Sequence, residues 1–114
     1  MFEIGEYVDA RGLSPFARWF DRLDATAAAK VSTALSRMER GNLSNARIVG
    51  ASVFEYRIGF GPGYRIYFGR DGEALIVLLG GGTKARQQGD IETAKHLWKE
   101  YRRRRRQEGT RPWH

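Results

Sequence analysis

The chain contains no cysteine and only two histidines, His96 and His114. Disulfides, thiolate zinc sites and cysteine nucleophiles are therefore excluded, and a histidine-based metal site or a serine–histidine hydrolase is disfavoured. The sequence also lacks a signal peptide and any apolar run near the roughly 18 residues that a membrane-spanning helix needs. These absences predict a soluble, cytoplasmic protein with no membrane partner.

Positive charge, by contrast, is abundant and unevenly distributed. The formal net charge is +7, and residues 51–114 hold 13 Lys and Arg against 7 Asp and Glu. Residues 1–50 are almost balanced, with 7 basic and 6 acidic side chains. A basic half of this kind favours an anionic partner such as nucleic acid, although basicity also serves solubility alone.

Local patterns predict one α+β domain over residues 1–106, with the element order β-α-α-β-β-β-α, and a poorly ordered tail over residues 107–114. A short strand is followed by a helical hairpin whose two helices begin at Ser14 and Asp24, both good N-cap residues. "NLSNARIVGAS" indicates a polar connector. The sheet is expected to be small and mostly antiparallel.

The second half of the chain reads as three strands and a helix. "VFEYRIGF" and "YRIYFGR" flank a "GPG" turn, and the wholly apolar "ALIVLLG" indicates a central strand covered on both faces. "GGGTKARQQG" then indicates a flexible loop. The final helix is expected to begin at Asp90, acting as its N-cap.

Two arginines occupy the middle of the predicted sheet. Because side chains alternate along a strand, Glu55 and Arg57 share one face, and Arg65 and Tyr67 share a face of the next strand. If Arg57 pairs with Arg65, both project from one open face together with Tyr67. Opposed like charges destabilise a sheet unless an anion lies between them or Glu55 neutralises one internally. Both alternatives remain open from the residues.

A third cation, Lys84, follows the glycine run after the apolar strand. Glycine runs are a weak signal alone, and "FGPG" is not followed by the helix that a phosphate-binding loop requires. The combination of two sheet arginines, a loop lysine and neighbouring aromatic residues is stronger. Arginine holds phosphate with a planar fork, and aromatic rings stack on unpaired bases.

Two long motifs resemble the RelE/ParE superfamily of bacterial toxins, and most closely its phage-derived, HigB-like "addiction module killer protein" branch. The motifs are "FEYRIGFGPGYRIYFGRDG" and "LLGGGTKARQQGDIETAKHLWKEY", and the specific match spans residues 53–101. The matching positions are Arg57, Gly61 to Arg65, Gly81, Gly82, Lys84, Gln87, Asp90 and Ile91.

The resemblance implies a RelE-like toxin domain held in check by a cognate antitoxin, a small helix-turn-helix protein. It implies cleavage of mRNA on the ribosome without a metal or other cofactor, by attack of the 2′-hydroxyl on the adjacent phosphate. Arg57, Arg65 and Lys84 take the positions of the family's basic site residues. ParE-type relatives share the fold but inhibit DNA gyrase, and a plain RNA-binding module is the other alternative.

The chain departs from the family pattern at two positions. Glu55 occupies a position where RelE has a lysine, and Asp90 lies close to the position where RelE has a catalytic tyrosine. The general acid and base are therefore undetermined by the resemblance, with Lys84, Tyr67 and Asp90 as candidates.

The run "RRRRR" cannot lie on one helix face. Three interpretations are open: a solvated helix end whose charge suits the C-terminal dipole, nonspecific binding of ribosomal RNA, or docking of an acidic antitoxin segment. The predicted RNA-binding residues are Arg86, Arg102, Arg103, Arg104, Arg105 and Arg106.

Overall fold

A computed structural model describes residues 1–108 and 112–113 of the chain. It confirms an α+β protein built on a five-stranded sheet with a long C-terminal helix. In chain order the elements are β1 (Glu3–Glu6), α1 (Pro15–Phe20), α2 (Ala25–Glu39), β2 (Ala46–Gly50), β3 (Val53–Ile58), β4 (Tyr64–Asp71), β5 (Leu75–Thr83), a 3₁₀ turn (Lys84–Arg86) and α3 (Gln87–Glu108).

The first two helices begin where their capping residues predict. The Ser14 hydroxyl accepts a hydrogen bond from the Ala17 amide at 3.0 Å, and an Asp24 carboxylate oxygen accepts one from Ala27 at 2.8 Å. Each cap satisfies an amide that the helix itself leaves without a partner. Their arrangement as a hairpin stays a prediction, since the contacts that place them are those with the sheet.

The sheet has the strand order β1-β5-β4-β3-β2. Its β1–β5 pair is parallel, and the other three pairs are antiparallel. The predicted element order was therefore wrong by one strand, because β2 lies in the segment interpreted as a polar connector. Its burial pattern lacks regular alternation, and Ile48 is 61% exposed, so the usual strand signal is absent.

The turn between β2 and β3 also lacks a recognisable sequence signal. Ala51 and Ser52 both have positive φ, at 52° and 63°. A two-residue type I′ turn requires positive φ at both central positions and usually has Asn-Gly there. The dipeptide Ala-Ser therefore does not predict a β-hairpin at this position.

Strand β5 is covered on both faces, as predicted, and Ile76 to Leu79 are at most 1% exposed. The predicted central position is wrong, because β4 is the central strand and β5 lies between it and β1. The flexible loop predicted after it is wrong at its start, because β5 continues through Gly80, Gly81 and Gly82, which pair with β4. A register irregularity in the β4–β5 ladder shifts the alternation of side chains. Val77 and Leu79 lie in the core beneath α3, whereas after the irregularity it is Gly82 that meets α3.

Helices cover both faces of the sheet and create two separate cores. One core joins α1 and α2 to the sheet through residues such as Phe16, Val31 and Met38. The other joins α3 to the opposite face through Ile91, Trp98 and Tyr101. Within the described residues, no helix combines the length and apolar character needed to span a bilayer.

The predicted tail is described only in part. Helix α3 continues through Glu108, and Trp113 forms an isolated bridge with Tyr7 beside β1. The remaining tail positions, 109–111 and 114, lie outside the described residues.

Candidate functional site

The hairpin of β3 and β4 brings the two arginines of the sheet together. Arg57 and Arg65 are direct cross-strand partners, as the sequence predicted, and Glu55 faces Tyr67 one step along the same ladder. Because alternate residues share a face, all four side chains belong to the side of the sheet that carries α3. The expected open face is wrong for Arg65 and Tyr67, which are 4% and 1% exposed.

The Arg65 guanidinium is held from two directions. Its Nη1 donates a hydrogen bond to the Gly63 carbonyl at 2.8 Å, and its Nε lies 3.6 Å from a Glu55 carboxylate oxygen. The second contact is an ion pair without a hydrogen bond, and Nε is buried with no hydrogen-bond partner among the described residues. Arg65 is therefore fixed in place before any ligand arrives.

Glu55 is the centre of this arrangement and is fully buried. Besides its ion pair with Arg65, it accepts hydrogen bonds from Arg47 Nε at 3.2 Å, the Tyr67 hydroxyl at 3.1 Å and Gln87 Nε2 at 2.9 Å. The charge of Glu55 thus offsets the repulsion between the opposed arginines, which was the internal alternative considered from the sequence. The partners Arg47 and Gln87 were not anticipated, because they come from β2 and the start of α3.

The Tyr67 hydroxyl donates a hydrogen bond to the Glu55 carboxylate. Burial raises the pKa of its hydroxyl, and the charge and hydrogen bond of Glu55 raise it further. The hydroxyl consequently stays protonated and donates to Glu55, which gives Tyr67 a positioning role in this arrangement.

Lys84 reaches the same turn from the end of β5. Its amide donates to the Pro62 carbonyl at 3.4 Å. A Cβ atom built on Gly63 would lie 3.4 Å from Lys84 Cβ and 3.1 Å from Arg65 Nη1. Gly63 has φ 78°, a conformation that glycine adopts readily. The buried Arg65 and the exposed Lys84 therefore approach one another across Gly63.

Arg57 is exposed on the α3 side of the sheet, and its position on β3 also borders a cleft of about 250 Å³ on the opposite side, between β3 and α2. Helix α2 contributes Lys30 and Arg37, two further cations that lie two turns apart on one side of it. Lys30 Nζ sits 5.0 Å from the centre of the Phe60 ring, which also lines the cleft. Sequence reasoning missed both cations, although their spacing of seven residues was a visible signal.

Asp90 does not begin the last helix, so the predicted N-cap is wrong. Helix α3 begins at Gln87, which places Asp90 within its first turn. One carboxylate oxygen of Asp90 is buried without a hydrogen-bond partner in the described part of the chain. It lies against the backbone of Gly82, so close that a Cβ atom added to that glycine would be only 1.9 Å away. Burial raises the pKa of Asp90, and the nearby charge of the exposed Arg86 lowers it in part.

The arginine run is divided by its contacts. Arg103 bonds to Glu100 and Gln107, Arg104 donates to the Val8 carbonyl at 2.7 Å, and Arg105 bonds to Asp71 at 2.9 Å. Arg102 and Arg106 instead line a cavity on the outer side of α3. The structure therefore separates three arginines with intramolecular partners from Arg102 and Arg106, which have no partner among the described residues.

Among residues 1–108 and 112–113, no group of three His, Cys, Asp or Glu side chains is placed to hold a metal ion. A reaction without metal or cofactor stays a prediction of the family resemblance.

Comparison with known proteins identifies a relative but no activity. No family model matches the chain. An uncharacterized protein of Haemophilus influenzae is 37% identical over 86 residues, which cover 75% of this chain and 87% of that protein. Identity at this level over most of both chains shows common descent, and the chain belongs to the same family as this Haemophilus influenzae protein.

Proposed function

We propose that the protein is the toxin of a type II toxin–antitoxin system and a metal-independent endoribonuclease that cuts mRNA on the ribosome. The single observation that carries this proposal is that Arg65 meets two other cations, Arg57 as its cross-strand partner and Lys84 across Gly63. Three cations from separate chain positions at one place suit a phosphate group. The proposed fold is a RelE-like one, with the N-terminal hairpin of that fold and with β2 as an added edge strand.

The proposed reaction is attack of the 2′-hydroxyl on the neighbouring phosphorus. The bond to the 5′-oxygen breaks, the products are a 2′,3′-cyclic phosphate and a 5′-hydroxyl, and the proton of the 2′-hydroxyl passes to water. Negative charge grows on the phosphate oxygens during this step. A guanidinium that is already fixed stabilises that charge without reorganising, which is the role we assign to Arg65.

The other groups divide the remaining work. Arg57 and Lys84 are exposed and supply cations that can reach the phosphate from the solvent side. Asp90, whose pKa is raised by burial, is the proposed proton donor to the leaving 5′-oxygen, because a raised pKa favours the protonated acid. Tyr67 and Glu55 position Arg65 and do not touch the substrate.

The proposed partners follow from the same assignment. They are a cognate antitoxin of the small helix-turn-helix type, the ribosome and mRNA, in the cytoplasm. The net charge of +7 supports polyanionic partners. The main competing function is ParE-like inhibition of DNA gyrase, and a plain RNA-binding role is the other alternative.

The test is controlled induction in cells followed by mapping of mRNA 5′ ends. The wild-type protein should produce cuts in translated messages. Arg57→Gln should lower the cleavage rate by about 10–10²-fold, the effect of losing one charge-assisted hydrogen bond of about 1.5–3 kcal/mol to the phosphate. Arg18→Gln, which removes the same charge from the exposed side of α1, should cleave as the wild type does.

Three outcomes would overturn the proposal. Intact messages accompanied by gyrase-dependent DNA breaks would assign the protein to the ParE type. Intact messages without such breaks would leave only a binding role. Equal loss of cleavage in Arg57→Gln and Arg18→Gln would show that net charge, and not the grouped cations, matters.

A further inference from the structure

A groove runs along the outer side of α3, away from the turn that carries Arg65 and Lys84. Its main cavity has a volume of about 630 Å³. Trp98, which is 4% exposed, lies at its base, and Ala51 and Ser52 of the β2–β3 turn border it. An adjoining cavity of about 330 Å³ shares Ser52, Trp98 and Arg102 and adds Arg70, Tyr101 and the ion pair of Asp71 with Arg105. The two cavities therefore form one continuous surface.

Four basic residues of α3 line the main cavity as a single stripe. They are Lys95, Lys99, Arg102 and Arg106, at helical positions i, i+4, i+7 and i+11, which share one face. Lys95 pairs with Glu92 at 3.3 Å. The other three are exposed and form no ion pair with the residues that the structure describes. Lys99, Arg102 and Arg106 thus present positive charge that no neighbouring carboxylate of the described residues compensates.

The turn at the edge of the groove is strained. Ala51 and Ser52 both adopt left-handed backbone conformations, which cost an ordinary residue free energy that glycine or asparagine would largely avoid. Such strain concentrates at functional sites. Here it occurs at the two turn residues that border the basic groove.

We propose that this groove binds the phosphate backbone of double-helical RNA. Lys95 and Arg106 are 11 positions apart, which is about 16 Å at a helical rise of about 1.5 Å per residue and matches several successive phosphates of one strand. The recognition of a duplex backbone is independent of cleavage at the candidate site. The choice of RNA over DNA rests on the proposed function.

The chemistry of the groove disfavours other occupants. Single-stranded nucleic acid is usually held by exposed aromatic rings that stack on bases, and the Trp98 ring is buried. A protein partner usually needs an exposed apolar anchor. The exposed large hydrophobic residues of the described chain are Met1, Leu13 and Ile48, and none lines the groove. Binding of backbone phosphates requires neither an exposed aromatic ring nor an exposed apolar anchor.

The test measures binding of a short RNA duplex by fluorescence anisotropy over a series of salt concentrations. Lys99→Gln combined with Arg102→Gln should weaken binding. It should also reduce the slope of log affinity against log salt by about 2, because each lost phosphate contact changes the slope by about 1. The matched control is Arg18→Gln with Arg22→Gln, which removes the same charge from exposed arginines of the α1 region. This control should keep the wild-type slope.

Each contrary result is specific. An equal change in slope for both double variants would show that only net charge acts. Equally tight binding of single-stranded RNA would refute the duplex, and equally tight binding of a DNA duplex would refute the choice of RNA. If the groove variant kept its RNA slope but lost affinity for polyglutamate, the groove would be a site for acidic protein. None of these measurements depends on RNA cleavage. The binding results would therefore remain interpretable if the protein proved not to be a nuclease.

Discussion

At the scale of single residues, Glu55 decides how two arginines can face one another inside a sheet. It is fully buried and is contacted by Arg47, Arg65, Tyr67 and Gln87, from three other chain segments. A buried charge of this kind is tolerated only when it is paired and hydrogen-bonded. Glu55 therefore stabilises the position of Arg65 and, through it, the proposed phosphate site.

Glu55→Gln should lower the free energy of unfolding by about 3–5 kcal/mol, because the buried Arg65 loses its ion-pair partner. Arg47→Gln is the matched control. The Arg47 side chain, the other ion-pair partner of Glu55, is 56% exposed. Its loss should therefore lower the free energy of unfolding by only about 0–1 kcal/mol. Urea denaturation of both variants measures the difference. Equal stability of the two variants would show that Arg65 does not depend on the carboxylate.

Asp90 should give the stability a characteristic pH dependence. Because burial raises its pKa in the folded state, the folded protein binds this proton more tightly than the unfolded chain does. Its contribution to folding is therefore fully present below the ordinary Asp pKa and is lost as the pH rises through the raised value. Asp90→Asn should abolish this loss, so its stability relative to the wild type should increase with pH across that window.

Denaturation midpoints measured from acid to neutral pH test this expectation, with the exposed Glu73→Gln as the control. A constant difference between Asp90→Asn and the wild type across the whole series would contradict it.

At the scale of elements, the glycines of the strands are places where tryptophan rings lie on the sheet. Trp19 lies over Gly81, Trp98 over Gly69 and Trp113 over Gly5. Each strand has no side chain where the ring packs, which allows bulky residues of other segments to approach the backbone. The glycine run at the end of β5 is thus part of the strand, and Gly81 within it makes room for the Trp19 ring.

Gly81→Ala should destabilise the protein by about 1–3 kcal/mol, the usual cost of overfilling a packed site. Its Cβ atom would lie 2.3 Å from the Trp19 ring. Gly80→Ala is an adjacent control, because nothing lies within 4 Å of its Cβ position. That variant should be neutral or more stable by roughly 0.5–1 kcal/mol, since alanine loses less backbone entropy than glycine. Thermal denaturation that ranked Gly80→Ala as the less stable variant would refute the assigned packing.

At the scale of the whole molecule, the sheet separates two helical layers with different roles. Helices α1 and α2 cover one face, and Lys30 and Arg37 of α2 line the cleft that Arg57 borders. Helix α3 covers the other face, begins beside Glu55 and carries the basic groove on its outer side. The positive charge of the second half of the chain is therefore divided between a buried, neutralised position and two exposed surfaces.

The sequence by itself determined the features that depend on near neighbours in the chain. Alternation of side chains placed Glu55, Arg57, Arg65 and Tyr67 correctly, and capping chemistry located the first two helices. These features were predictable because strand pleating and helix capping act over a few residues.

Only the tertiary structure decided the features that depend on distant segments. It buried Arg65 beneath α3, gave Glu55 partners from β2 and α3, and divided the arginine run between paired and unpaired residues. It also introduced the β4–β5 irregularity and the strained turn that completes β2. The burial of Arg65, the partners of Glu55 and the division of the arginine run have no local pattern, because each results from packing between segments that are far apart in the chain.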